Sequence, residues 1–401
     1  MLSKNVIEVD PDKFPWLDLR RYTFCLAAEN SGIVYLSGQT ASEYDPDSGK
    51  VVCKGDLLDQ TRVIYEKLGV VLEAAGLSFD NVVQTVDYVD PVALPQYRQT
   101  GEIRRQYLGG TPVGSTGFCV ERLLRPDALM EVSAIAMSGE KKLINPYGDQ
   151  FSQVTYVPGV EVDNIVWLSG FIGYDEDNGV RRYSRDTNRQ VEQSYGIIGD
   201  VLKAAGSGPG DVVKSLDYIA PQALLQYADS AAARRDFYQG SYPAATGISI
   251  NRLLRPEGHV EVETIAVKSG NREEVHIPEW DQRYRNLTYH PGIRKGHMLQ
   301  ISGQAAVDHT TGESIGGFDM IAQADKAYEN IARVLSEAGY SMDDVVNTIE
   351  WIAPNGMMGY RGTQEVRRKY FGNNFPSAPG VIIHQILRPE LLFEVTAVAL
   401  V

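Results

Sequence analysis

Carboxylates at one recurring spacing are the groups in this chain best suited to moving protons. Glu131, Glu261 and Glu394 each stand second in a run that alternates with apolar residues, Met130 to Ala136, Val260 to Ala266 and Phe393 to Ala399. Such a run reads as a strand. A glutamate enclosed by apolar surface titrates above its usual range, so it could orient a water and shuttle a proton. More candidates lie just upstream, where side chains two apart share a strand face. In three successive stretches that face carries Ser115, Gly117, Cys119 and Glu121, then Ala245, Gly247, Ser249 and Asn251, then Ala378, Gly380, Ile382 and His384. The opposite face, Phe118 and Val120, Ile248 and Ile250, Val381 and Ile383, is apolar and is expected to meet the helices, leaving the polar residues to face a pocket.

Each candidate has a structural alternative. The three glutamates could form salt bridges with Arg125, Arg255 and Arg388, or with Arg122 and Arg252. His384, amid Ile383, Ile386 and Leu387, could be a satisfied core histidine. Cys119 has no basic neighbour in the sequence and reads equally as a small buried hydrophobe. The pairs Arg104-Arg105, Arg234-Arg235 and Arg367-Arg368 suit either an anionic ligand or a solvated helix face whose basic residues favour its C-terminal end. A calcium loop at Asp45, Asp47 and Gly49 fails on spacing, because its glycine comes one place early and no closing glutamate follows.

The elements that must position these residues repeat. A β-branched or apolar run ending in Ser-Gly occurs at Val34 to Gly38, Val166 to Gly170 and Leu299 to Gly303, about 130 residues apart, which is the scale of a domain rather than of a solenoid repeat. After each come an acidic glycine-bearing turn and then a stretch with apolar residues at helical spacing that ends in Gly76, Gly206 or Gly339. A strand follows, at Val82 to Tyr88, Val212 to Ile219 and Val345 to Ile352, then a second helix near Tyr97, Tyr227 and Tyr360, then the two closing strands. Each unit therefore reads β-β-α-β-α-β-β, an α+β layer with helices on one face of a sheet. The divisions fall at 1–141, 142–271 and 272–401.

At 401 residues, 43% hydrophobic and 22% charged, the chain is in the soluble globular range and suits two or three cores. No apolar run is long enough for a membrane span, and the first residues mix charges without the core of a secretory signal, so no membrane partner and a cytoplasmic location are expected. Cys25, Cys53 and Cys119 show no close pairing, which argues against a disulfide framework and a zinc cluster, and no metal or organic cofactor is expected. A net charge of −14 opposes nucleic acid as a partner.

The ordered series of Ser-Gly, a helix ending in Ala-Gly or a close equivalent, an Asp-x-Val-Val type strand, a Tyr-bearing second helix and a final Val-Glu-Val-Glu-x-Ile-Ala run resembles the RidA/YjgF family of small trimeric enamine/imine deaminases. All three copies carry it. The resemblance implies a chorismate-mutase-like fold in which three tandem domains form an intramolecular pseudo-trimer, with inner sheets, outer helices and ligand pockets between neighbouring copies. It implies a ligand-contacting backbone at Ser37-Gly38, Ser169-Gly170 and Ser302-Gly303, and a pocket aromatic at Tyr22, Phe151 and Tyr284. It also implies an acid/base glutamate second in Glu-x-Glu, which only Glu263 matches, Ser133 and Thr396 standing there in the other copies. The family's Pro-x-Arg, whose guanidinium grips a substrate carboxylate, is missing, and Ser115, Ala245 and Ala378 take its place.

Together these readings point to a cofactor-independent hydrolase or deaminase acting on an enamine, imine or related C–N bond of a small molecule, divergent from 2-aminoacrylate deamination. The binding set is Tyr22, Phe151, Tyr284, the three Ser-Gly pairs, Ser249, Asn251, Arg125, Arg255 and Arg388. The catalytic set is Glu263, Glu131, Glu394, His384, Glu121 and Cys119. A ring-amide hydrolase similar to three-repeat cyanuric acid hydrolases is an alternative, although no lysine keeps register here, and so is a non-catalytic ligand-binding pseudo-trimer. A monomeric pseudo-trimer or a dimer of pseudo-trimers is expected.

Overall fold

The computed structural model describes residues 4–401, and the first three residues of the expected first repeat, Met1 to Ser3, lie outside them. Three α+β units follow one another. In the first, the strands Ala27–Asn30, Ile33–Thr40, Met130–Met137, Val82–Val89 and Gly114–Cys119 lie side by side in that order. The second repeats the order with Gly159–Val162, Ile165–Leu168, Val260–Val267, Val212–Ile219 and Ala244–Ser249, and the third with Gly292–Lys295, Met298–Ala305, Phe393–Leu400, Val345–Ile352 and Gly380–Ile382. All neighbours are antiparallel except the last pair in each unit, which is parallel because a helical crossover joins its strands.

One long helix covers the outer face of each sheet: Leu57–Ala74, Thr187–Ala204 and Met320–Glu337. Asp56, Asp186 and Asp319 cap them, each accepting from backbone N–H groups of the first turn. At the other end Gly76, Gly206 and Gly339 adopt φ of 72°, 66° and 78°, where a Cβ would be strained. Ile64, Leu68, Val71 and Leu72 form the buried stripe of the first helix, as their spacing requires.

The parallel edge strand of each unit does not stay an edge. Arg252–Leu253 pairs with Gly114–Cys119, Gln385–Ile386 pairs with Ala244–Ser249, and Arg122 bridges to Ile382. Repeat 2 thus closes on repeat 1, repeat 3 on repeat 2, and repeat 1 on repeat 3, so three sheets are joined in a cycle and no unit presents a free pairing edge at this point. Their inner faces meet in a shared core in which Val83, Trp167, Val213, Ile293, Val346 and Val398 are buried together.

This arrangement corrects one expectation. Phe118, Ile248 and Val381 do not meet the helices but point inward, where the Phe118 ring lies 4.3 Å from that of Tyr218 in the next repeat. Ser115, Gly117 and Cys119 share the face of Asp87, which is turned to the second helix. Alternation grouped the right residues but could not say which group faced in, because in a closed assembly both faces of the strand are covered.

Candidate active site

Each Ser-Gly pair rivets one seam between repeats. The Ser37 hydroxyl donates to the Cys25 carbonyl (2.6 Å) and accepts from the Ala378 N–H (2.8 Å). Ser169 does the same with Val157 (2.6 Å) and Ser115 (2.9 Å), and Ser302 with His290 (2.5 Å) and Ala245 (2.8 Å). With donor and acceptor both engaged and the residues fully buried, these serines hold backbone in place and are not nucleophiles. Ser115, Ala245 and Ala378 accordingly serve the seam through their N–H groups.

Beside each rivet lies a glutamate. The carboxyl groups of Glu131, Glu261 and Glu394 fold over Gly38, Gly170 and Gly303, where even a methyl side chain would overlap them. None of the three has an ion pair or hydrogen bond among the described residues, so the expected salt bridges to Arg125, Arg255 and Arg388 are not made. Arg125 instead donates to the Val51 carbonyl (2.9 Å), and Arg388 to the Gly312 carbonyl (2.8 Å). Burial pushes the glutamates up to about 7 for Glu131 and about 8 for Glu261 and Glu394. The Lys67 ammonium holds Glu131 below the other two, and the Glu263 charge lifts Glu261 further. They keep 8%, 7% and 9% of their surface, so the acid is enclosed without being sealed.

The opposite wall of each seam comes from the preceding unit in the cycle. Tyr97, Tyr227 and Tyr360 place their hydroxyls 2.9, 2.7 and 2.6 Å from where a Cβ on Gly117, Gly247 or Gly380 would stand, and Leu254, Leu387 and Leu124 close in from the neighbouring repeat. Each tyrosine donates to a buried acid, Asp87 (2.7 Å), Asp217 (2.8 Å) or Glu350 (2.6 Å). The first arginine of each Arg-Arg pair closes the triad: Arg104 to Asp87 at 2.8 Å, Arg234 to Asp217 at 2.7 Å, Arg367 to Glu350 at 2.7 Å. These first arginines are neither on a solvated helix face nor free for a ligand, whereas Arg105 and Arg235 are exposed in the last turn of their helices, as the solvated-face reading expects. In the seam between repeats 3 and 1, Arg367 Nε also reaches Thr23 across the boundary (2.6 Å).

The remaining sequence candidates are dispersed. Glu263 points to the pseudo-three-fold axis, into a cavity of about 40 Å³ that Ser133 also lines. There it pairs with Lys214 (3.1 Å) and accepts from Tyr218 (3.3 Å). The first glutamate of Glu-x-Glu thus lies at the seam and the second at the axis, because the last strand passes from one to the other within two residues. Asn251 (3.1 Å) and His384 (3.6 Å) both reach Glu121 Oε2 across repeat boundaries. Cys119 is fully buried, its thiol pushed up to about 11 by burial, and Ser249 is equally enclosed. Tyr22 is exposed, and Phe151 packs on Tyr147 and Tyr156.

In repeat 3, Tyr284 stacks on Trp280 and lies 5.5 Å from the ring of His309. Sequence reasoning missed His309, which sits 2.9 Å from Gln304 Oε1 and is kept neutral by burial, pushed down to about 3. It also missed Tyr289, half-buried beside Glu394; Tyr289, Tyr156 and Phe24 precede the three seam serines by the same interval. That interval was the available signal. Lys67, held by the Thr40 and Ser42 carbonyls (2.7 and 3.2 Å), has Ile197 and Asn330 at the matching helix positions, so nothing periodic marked it.

Comparison with known proteins matches these units. The family described as endoribonuclease L-PSP is matched three times, at residues 19–138, 149–268 and 284–401. A RutC family protein of Saccharolobus solfataricus is 34% identical over 111 residues, covering 28% of this chain and 85% of the relative. A solved Mycobacterium tuberculosis member of the YjgF/YER057c/UK114 family is 26% identical and covers 33% of this chain and all of its own, with a TM-score of 0.27. A solved chorismatase is 16% identical and covers 80% of this chain and 93% of its own, with a TM-score of 0.45.

Proposed function

Because this chain belongs to the endoribonuclease L-PSP family and carries that unit three times, we propose that it is a small-molecule deaminase that hydrolyses an enamine, imine or related C–N bond in the clefts between its repeats. The observation that carries this reading is the set of three enclosed, unpaired glutamates beside the seam glycines. A carboxyl held at about 7 to 8 is half or more protonated at neutral pH, so it can give a proton to a nitrogen and, once ionised, take one from a water with modest penalty in either direction. The overall step is balanced without any other reagent: water adds to the C=N carbon, one of its protons reaches the nitrogen through the glutamate, and the second follows by the same route as the carbonyl forms and ammonia leaves.

The wall opposite the glutamate sets the substrate. Tyrosine hydroxyls and leucines stand there, and the cation nearest to it is already paired with a buried acid. A substrate less acidic or larger than a small 2-imino acid suits that surface. Ribonuclease action on RNA is disfavoured, since a chain of net charge −14 repels a polyanion.

The test is ammonia release from imines generated in situ by an amino-acid oxidase, across side chains of increasing size. Release is expected to exceed the spontaneous rate for at least the apolar imines and to fall as pH rises through 7–8, because the protonated carboxyl is the working form. Rates equal to the spontaneous ones throughout would leave the non-catalytic pseudo-trimer. A second outcome follows from the seam glycine. Gly170→Ala is expected to push the Glu261 carboxyl aside and lower turnover in that cleft by about 10²-fold while thermal unfolding changes little, since displacement of a reacting group by about 1 Å has effects of that order.

A further inference from the structure

The cycle brings Asn251 of the second repeat and His384 of the third to one carboxylate of the first, Glu121, and the chemistry of the three is complementary. Asn251 Nδ2 lies 3.1 Å from Glu121 Oε2, and His384 Nδ1 lies 3.6 Å from the same oxygen. We propose that Glu121, Asn251 and His384 form a binding site for one first-row divalent cation per chain. This inference is independent of the deaminase reading.

Three observations carry it. First, the spacing suits a shared ion. Donors held about 2.0–2.1 Å from a tetrahedrally bound metal stand roughly 3.3–3.4 Å from each other, close to the two separations here. Asparagine offers either end of its amide, since a half-turn about its last bond exchanges nitrogen for oxygen, so the Asn251 amide that hydrogen-bonds the carboxylate can turn its oxygen to an ion. Second, the donors are anchored. The Glu121 N–H donates to the Ile382 carbonyl (2.8 Å), Asn251 N–H to Cys119 (3.1 Å) and His384 N–H to Ser249 (2.9 Å), so each ligand's backbone is clamped to another repeat and the three start from related points around the axis. Preorganisation of this kind spares an ion the ordering of its ligands. Third, the site is open. Side-chain exposures of 35% for Glu121 and 41% for His384 leave room for water to complete the coordination, and the charge of the whole chain attracts cations.

One imidazole nitrogen, one carboxylate oxygen and one amide oxygen favour zinc, nickel or cobalt over calcium or magnesium, which prefer oxygen throughout. Because each ligand comes from a different repeat, one ion joins all three units. It should raise the stability of the assembled ring more than an ion on one repeat would.

Chelator-treated full-length protein would be titrated with Zn2+ and Ni2+ by calorimetry and with Co2+ by visible absorption. One equivalent should bind, and Tm should rise with the ion. His384→Ala and Glu121→Gln should each weaken binding at least tenfold and remove the Tm rise, and Asn251→Leu should weaken it less. These positions are partly exposed, so circular dichroism and the ion-free Tm should stay close to the parent. His276→Ala is the control, since His276 pairs with Asp281 at 2.9 Å on the surface and is a competing imidazole–carboxylate pair. Absence of binding, binding unchanged in His384→Ala, or binding lost in His276→Ala would each overturn the proposal.

Discussion

Replacing Glu131, Glu261 and Glu394 together by glutamine is expected to reduce ammonia release from imines by about 10²- to 10⁴-fold, the range over which a positioned acid/base group accelerates such steps. Glutamine keeps the shape that fills the space over Gly38, Gly170 and Gly303 but cannot exchange a proton. Single substitutions then apportion the activity. If one cleft does the work, one of the three single variants carries the whole loss, whereas equal clefts lose about a third each. Glu263→Gln should have little effect on turnover, because its carboxylate faces the axis and is held by Lys214 and Tyr218. A triple variant with parental turnover would end the assignment.

The same variant makes a stability prediction of definite sign. The folded protein holds these three carboxyls at about 7 to 8 against an ordinary value of 4.5, so it binds more protons than the unfolded chain between those limits. The stabilisation this represents is fully present below about pH 4.5 and is lost as pH rises through 7–8. The triple glutamine variant lacks that loss. Its Tm should therefore match the parent near pH 5 and exceed it at pH 9, which a pair of thermal scans decides.

The second large effect is at the joint between the last and first repeats. Arg367→Met is expected to destabilise the protein by about 3–5 kcal/mol, the range for removing one partner of a buried ion pair. Arg367 donates to both Glu350 oxygens (2.9 and 2.7 Å), to Thr363 (2.9 Å) and to Thr23 of the first repeat (2.6 Å). Without it Glu350, 2% exposed, keeps only the hydroxyls of Tyr328 (2.5 Å) and Tyr360 (2.6 Å). A carboxylate in that state must be charged without a counter-ion or protonated, and either penalises the fold. The double variant Arg367→Met/Glu350→Leu should recover most of the loss, because an apolar pair of similar volume removes the desolvation problem. Urea midpoints at unchanged slope measure both. A loss below about 1 kcal/mol in the single variant would place the arginine among ordinary surface charges.

The three-fold repeat, the order of its elements and the α+β class are local facts, and the chain alone determined them. Period-two and helical apolar patterns and terminal glycines act within about 20 residues and recur three times, so each pattern is corroborated twice within the same molecule. The recurring glutamates were legible for the same reason. Tertiary structure decided which way each strand turned. Phe118 and Gly117 alternate in the sequence, but only closure of the ring makes the phenylalanine face an inner core and the glycine a tyrosine. It also decided that Glu261 lies at a seam while Glu263, two residues on, lies at the axis, and that Arg104, Arg234 and Arg367 are spent on buried acids from a strand 17 residues away. Glu121, Asn251 and His384 share no neighbourhood in the chain at all. Contacts between repeats depend on how three units dock, and docking is set by the whole surface rather than by any window of residues.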